Sequence, residues 1–279
     1  MLIAPEITVW MIEHAMIQAS PTAPEFLVMP DGRTLAYHRL DGRGDAMAPG
    51  VVFLGGFKSD MEGTKALALE NWARARERAF LRFDYTGHGQ SSGDFLDGCI
   101  GAWARDASDA IAALTAGPVI LVGSSMGGWI SLLLARASAA TGGRVVGLAT
   151  IAAAPDFTAD GMEPAFTAAQ CEEMAATGRI ELPSEYSDAP YVITRRLIED
   201  GRDHLVLRTP LDLPIPIRMM QGTADTDVPM DRALLLLDHI KSPDLRLELV
   251  KGADHRFSEP RELAILARTM DELTAAVAG

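Results

Sequence analysis

Three residues in this chain have the types and the order for nucleophilic acyl chemistry: Ser125, Asp225 and His255. A serine hydroxyl is a poor nucleophile near pH 7, so an imidazole must take its proton during attack. A carboxylate must then hold that imidazole in the right tautomer and stabilise its charged form. Ser125 is the centre of Gly123-Ser124-Ser125-Met126-Gly127, which follows the apolar run Val119-Ile120-Leu121-Val122. Apolar residues at helical spacing come next: Met126, Ile130, Leu133 and Leu134. Strand, G-x-S-x-G, helix is the context of a nucleophile elbow, a strained turn that lifts the serine hydroxyl above the sheet edge. A second match, Gly89-Gln90-Ser91-Ser92-Gly93, runs into Asp94-Phe95-Leu96-Asp97 and not into an apolar helix. Context therefore selects Ser125.

The base and the acid should sit past the carboxyl ends of strands, where open parallel sheets gather their ligands and catalytic groups. Of six histidines, His255 alone falls immediately after the last strand-like run, Leu245 to Val250. Asp225 and Asp227 both lie in the loop after Ile215 to Met220, and either fits the chain order Ser, Asp, His. Asp254 adjoins His255, but neighbouring side chains normally diverge. A developing oxyanion needs two backbone N–H donors. One belongs to Met126, at the start of the helix; the other is expected from Phe57, where Gly55-Gly56 lets the chain turn inward. Lys58, next to it, reads as a solvated lysine or as a contact for an acidic substrate group.

The elements that must position these groups alternate. Phe26–Met29 and Thr34–His38 flank Pro30-Asp31-Gly32 and read as a hairpin. Val51–Leu54, Ala79–Asp84 and Val145–Ile151 read as further strands, with helices over 63–78 and Trp103–Leu114. After an irregular stretch, a strand over 215–220, a helix over Met230–Ile240, a strand over 245–250 and a final helix restore the order. That alternation implies an α/β fold, with a mostly parallel sheet and helices on both faces. Residues 155–213 break it, with helical pieces over Ala165–Ala176 and Tyr191–Asp200, and read as an inserted helical cap. Met162, Phe166, Met174 and Tyr186 are its candidates for lining an acyl pocket.

Composition narrows the function. At 279 residues and 48% hydrophobic, the chain can bury one large core. A formal charge of −13 argues against nucleic acid and anionic membrane as partners. Cys99 and Cys171 match no metal spacing and suggest a reducing compartment. No apolar run approaches the ~20 residues that span a bilayer. Residues 1–24 are apolar at first but hold no Lys or Arg, unlike a secretory signal or transit peptide, and are expected to form an N-terminal extension before a domain over 25–279.

Together these residues resemble the α/β-hydrolase superfamily over essentially all of 25–279. Members often carry G-x-x-D-x-x-V-P around the acid, and Gly222-Thr223-Ala224-Asp225-Thr226-Asp227-Val228-Pro229 matches, which puts the acid at Asp225. Asp84-Tyr85-Thr86-Gly87-His88-Gly89-Gln90-Ser91 resembles the structural D-x-x-G-x-G-x-S loop and accounts for the second pentapeptide. The usual His-Gly before the oxyanion donor is Gly55-Gly56 here, so a side chain that commonly braces that loop is missing. A narrower resemblance, to the mitochondrial palmitoyl-protein thioesterases and acyl-glucuronide esterases of that superfamily, runs through residues 56–68, 82–85, 117–129 and 182–187. It implies a cofactor-independent, metal-independent serine hydrolase acting on a small-molecule ester or an S-acylated substrate. The absence of a transit-like leader fits a bacterial, cytoplasmic relative. The alternatives are a short-chain carboxylesterase, an acyl-glucuronide esterase and, from another class, a ligand receptor on the same fold.

Overall fold

A computed structural model describes residues 23–43, 48–183 and 190–278. All but the last two residues of the expected extension 1–24, and Tyr186 among the expected pocket residues, lie outside them.

In chain order the elements are β1 (Glu25–Val28), β2 (Thr34–Leu40), β3 (Gly50–Leu54), α1 (Thr64–Ala75), β4 (Phe80–Phe83), α2 (Ile100–Leu114), β5 (Val119–Ser124), α3 (Met126–Thr141) and β6 (Val145–Ile151). There follow α4 (Ala168–Thr177), β7 (Arg179–Leu182), β8 (Tyr191–Thr194), α5 (Arg195–Asp203) and β9 (Leu211–Asp212). The chain ends with β10 (Ile217–Gly222), α6 (Met230–His239), β11 (Ile240–Lys241), β12 (Leu245–Val250) and α7 (Pro260–Ala278). Eight strands form one sheet in the order β1-β2-β4-β3-β5-β6-β10-β12. Its β1·β2 and β2·β4 pairs are antiparallel, and the remaining pairs are parallel. The expected hairpin turn is present: Gly32 has φ +89°, and its N–H donates to the Met29 carbonyl at 3.0 Å.

The uniform apolar runs of the central strands have a simple cause. Successive strand residues face opposite sides, and here both sides are covered. Val52, Leu54, Val119 and Leu121 join a core with Ile100, Trp103 and Ala107 of α2 and Met126 and Ile130 of α3. Val51, Phe53, Ile120 and Val122 join another with Leu69 and Trp72 of α1 and Leu266, Met270 and Leu273 of α7. Central strands of this kind cannot alternate apolar and polar residues, because neither face meets water.

The connection between β6 and β10 differs from the all-helical insertion that the sequence suggested. Tyr191–Thr194 is a strand, not the start of a helix, and pairs antiparallel with β7 from Arg179↔Thr194 to Leu182↔Tyr191. The reason is local: Tyr-Val-Ile-Thr is aromatic and β-branched, the composition that prefers a pleated surface. Thr194 then ends the strand and caps α5, its hydroxyl accepting from the Leu197 N–H at 3.2 Å. The start of this connection is tied to its end, because the buried Asp156 carboxylate accepts from the N–H groups of Val206 (2.8 Å) and Leu207 (3.0 Å).

Candidate active site

Ser125 occupies the single residue between β5 and α3, with φ 54° and ψ −117°. A non-glycine residue held there costs about 1–3 kcal/mol and persists only if its surroundings over-determine it. They do. The Ser125 N–H donates to the Ile151 carbonyl at 2.9 Å, and its own carbonyl accepts from Gly128 (2.9 Å) and Ala154 (3.1 Å). The flanking glycines allow this packing: a Cβ on Gly127 would lie 2.0 Å from the Leu54 carbonyl oxygen, and one on Gly123 would lie 2.3 Å from that of Gly127.

The loops after β10 and β12 bring the other two residues to this turn. His255 Nε2 stands 3.1 Å from Ser125 Oγ, and His255 Nδ1 stands 2.9 Å from Asp225 Oδ2. Asp225 is therefore the carboxylate on the ring nitrogen remote from serine. Asp227 Oδ2 approaches only Nε2, at 3.9 Å, and its N–H donates to Asp225 Oδ1 at 3.0 Å. Asp254 accepts from the Phe257 N–H at 3.1 Å and shapes the turn that carries His255.

Burial pushes the Asp225 carboxyl upward. The hydrogen bonds with His255, from the Val228 N–H (2.8 Å) and from Gln221 Nε2 (2.9 Å) outweigh that and hold it below the usual carboxylate range. An ionised Asp225 fixes the proton on Nδ1 and leaves Nε2 free to accept from the serine. Gln221 was not foreseen; its one signal is a polar side chain near the end of β10, a strand buried along its whole length.

Gly56 packs against the nucleophile's turn, since a Cβ built on it would meet Ser125 Cβ at 3.4 Å. Phe57, the expected donor, follows in the same loop, and Met126 is the first residue of α3. The stretch that follows this loop is held by buried charges. Asp84 accepts from the N–H groups of Met61 (2.7 Å) and Gln90 (2.8 Å). The fully buried Arg82 donates to the Met61 carbonyl at 2.8 Å while pairing with Glu62 (2.8 Å) and Glu70 (2.6 Å). The Phe57 ring is fixed edge-on by Phe95, Trp103, Phe157 and Tyr191, with centroids 5.0–6.0 Å away. Contacts of this kind are worth about 0.5–1.5 kcal/mol each beyond area burial.

A cavity of about 660 Å³ opens over Ser125 and His255. Phe57, Ala154, Phe157, Met162, Tyr191 and Val228 supply its apolar wall. Of the three expected lining residues that are described, Met162 is there, whereas Phe166 and Met174 border a separate cleft beside Ile198 and Arg195. The displacement follows from the hairpin, which puts Tyr191 at the cavity in place of a helix face. Lys58 Nζ lies 4.8 Å from the Tyr191 ring centroid and 5.4 Å from that of Phe95. No helix among the described residues is long and apolar enough to cross a membrane.

Comparison with known proteins identifies the family. The model of the α/β hydrolase family matches residues 51–266. The mitochondrial palmitoyl-protein thioesterase ABHD10 of Rattus norvegicus is 36% identical over 256 residues, which span 90% of this chain and 82% of the rat protein. The crystal structure of a putative hydrolase from Agrobacterium vitis S4 superposes with a TM-score of 0.86 at 37% identity, covering 91% of this chain and all of that one. The mouse α/beta hydrolase domain-containing protein 10 does so with a TM-score of 0.81 at 34% identity, over 90% of this chain and 98% of its own. The chain is a hydrolase of the α/β-hydrolase family.

Proposed function

We propose that this hydrolase cleaves acyl thioesters or esters through a Ser125–His255–Asp225 triad and an acyl-enzyme, acting chiefly as an acyl thioesterase, with S-acylated protein as one substrate form. The observation that carries the reading is the hydrogen-bonded series from Asp225 through His255 to Ser125 at the floor of an apolar cavity. Ser125 Oγ attacks the acyl carbonyl while His255 Nε2 takes its proton. The imidazolium forms beside ionised Asp225, and the carbonyl oxygen becomes an oxyanion held by the Phe57 and Met126 N–H groups. Each such donor is worth about 3 kcal/mol to the transition state. Collapse expels the thiol or alcohol, which leaves with the proton from Nε2. Water then gives a proton to Nε2, attacks the acyl-serine, and releases the acid with Ser125 restored. The connection between β6 and β10 acts as the cap, contributing Phe157, Met162 and Tyr191 to the acyl wall.

The ABHD10 relatives, named as palmitoyl-protein thioesterases, support a thioester with a long acyl chain, and so does the apolar wall. One observation favours a second reading, an oxoester whose leaving group is anionic, as in an acyl glucuronide. Lys58 borders the cavity, stacked on two aromatic rings, and no carboxylate among the described residues pairs with it. The two separate in kcat/KM on matched thioesters and oxoesters from acetyl to palmitoyl, with an acyl glucuronide added. The proposal expects palmitoyl thioester to be preferred, and the preference to vanish in Ser125→Ala. Short oxoesters or the glucuronide ahead of every thioester would replace it with the esterase reading.

A further inference from the structure

One cation beside the triad has no part in the steps above. Lys65 is the second residue of α1, nine positions after Gly56 in the segment that carries Phe57. Its Nζ reaches across the cavity edge and donates to the carbonyl of Arg256, the residue after His255. Ser258 Oγ donates to the same carbonyl at 2.8 Å.

The loop that receives this bond is strained. Phe257 has φ 50° with its ring completely buried, although a bulky side chain disfavours the left-handed region. Its N–H is taken by Asp254, so residues 254–258 make a tight turn with His255 at its outer edge. A turn held at such a backbone angle keeps its shape only when its surroundings clamp it. Here an ammonium provides the clamp, and hydrogen bonds from a charged donor are roughly twice as strong as neutral ones. The clamp ties the His255 turn to the start of α1, which follows directly on the oxyanion loop, and Gly56 of that loop packs against the Ser125 turn.

We propose that Lys65 is a positioning residue, whose ammonium fixes the His255 turn against the oxyanion loop and holds Nε2 at hydrogen-bonding distance from Ser125. The inference rests on the serine-hydrolase reading above. Three carboxylates, Asp254 on the His255 turn, Asp225 on the acid loop and Glu262 on α7, and the Arg256 guanidinium act on this ammonium, and Lys58, Asp227 and His255 line the same cavity. Burial nevertheless pushes the ammonium down to about 8, with Arg256 lowering it further against the three carboxylates. The clamp is therefore mostly charged at pH 7 and weakens as pH rises through 8. A displacement of ~1 Å at a reacting group costs on the order of 100-fold in rate, so losing the clamp should be visible in kcat.

The test is the pH profile of kcat and KM for a p-nitrophenyl acyl ester between pH 6 and 10, in wild type, Lys65→Met and Lys65→Arg. Fluorophosphonate labelling of Ser125 is followed in parallel. Wild type should lose rate above about pH 8. Lys65→Met should lower kcat about 10- to 100-fold at pH 7 with KM little changed, and show no loss centred on pH 8. Lys65→Arg, with a cation that does not titrate in this range, should recover most of the rate and remain active to pH 10. Labelling rates should follow kcat in all three. Should Lys65→Met fail to fold, Lys65→Arg decides alone: a wild-type fall near pH 8 in that variant would overturn the inference. Unchanged kcat and profile in a folded Lys65→Met would do the same while leaving the triad intact. Turnover that survives Ser125→Ala would instead overturn the serine-hydrolase reading.

Discussion

The chain contains the same pentapeptide pattern twice, and its two copies meet opposite fates. At Gly89–Gly93, Ser91 Oγ donates to the Asp84 carbonyl at 2.6 Å and accepts from the Ala36 N–H at 2.9 Å. Ser92 Oγ accepts from the Thr34 N–H at 2.8 Å. Those hydroxyls are absorbed into the backbone, stitching the loop to β2. At Gly123–Gly127, Ser125 Oγ instead faces the imidazole of His255. Both loops require glycine for close approach, but to different partners. A Cβ on Gly89 would strike the Asp84 carboxylate at 2.1 Å, whereas one on Gly127 would strike the Leu54 carbonyl of the neighbouring strand. What makes a serine a nucleophile here is the strand before it and the helix after it. They force a positive φ and point the hydroxyl out of the sheet. The pentapeptide alone does not.

The comparison can be broken most sharply at the two serines themselves. Ser125→Ala should lower kcat/KM by about 10⁴- to 10⁶-fold, with an unchanged melting temperature. Ser91→Ala should show the converse: kcat/KM within a few-fold of wild type, and a loss of about 1–3 kcal/mol in denaturant unfolding, because the buried Ala36 N–H loses its partner. Comparable activity losses in both variants would erase the distinction.

The two aspartates of the acid loop sharpen it further. Asp225→Asn should cost about 10⁴-fold in kcat by favouring the wrong imidazole tautomer, against a few-fold for Asp227→Asn. Equal losses would show that geometry at Nδ1 does not decide the role. The smallest effect is on stability. Because the folded Asp225 carboxyl lies below its unfolded value of about 3.9, the stability it contributes is complete above that value. It is lost as pH falls through the lower folded value. Acid titration of unfolding free energy should therefore show wild type losing part of its advantage over Asp225→Asn below about pH 4.

The fold and the places of Ser125 and His255 were legible because their signals are local, whereas Asp225 was separated from Asp227 by the family pattern alone. The elbow shows as an apolar strand, five residues and an apolar helix. The sheet shows as uniform apolar runs, and the acid loop as one short pattern ending in Val228-Pro229. What escaped depends on how loops fold back, which no residue pattern announces. Gln221 supports Asp225 only because the acid loop folds back over the end of β10. Arg82 and Asp84 hold Met61, just past the oxyanion loop, across some twenty residues. The hairpin β7–β8 was misread because the helical pieces around it suggested continuity, although Tyr191–Thr194 favours a strand. Tyr191 reaches the cavity from that hairpin, and Phe157 from the start of the same connection.

The most direct test of the whole account is rapid-quench mass spectrometry of the enzyme mixed with one equivalent of a palmitoyl thioester. The account predicts a transient palmitoyl adduct on the peptide that contains Ser125, forming as the thiol is released and decaying as palmitate appears, and no adduct in Ser125→Ala. An adduct on any other residue, or thiol release that continues in Ser125→Ala, would contradict it.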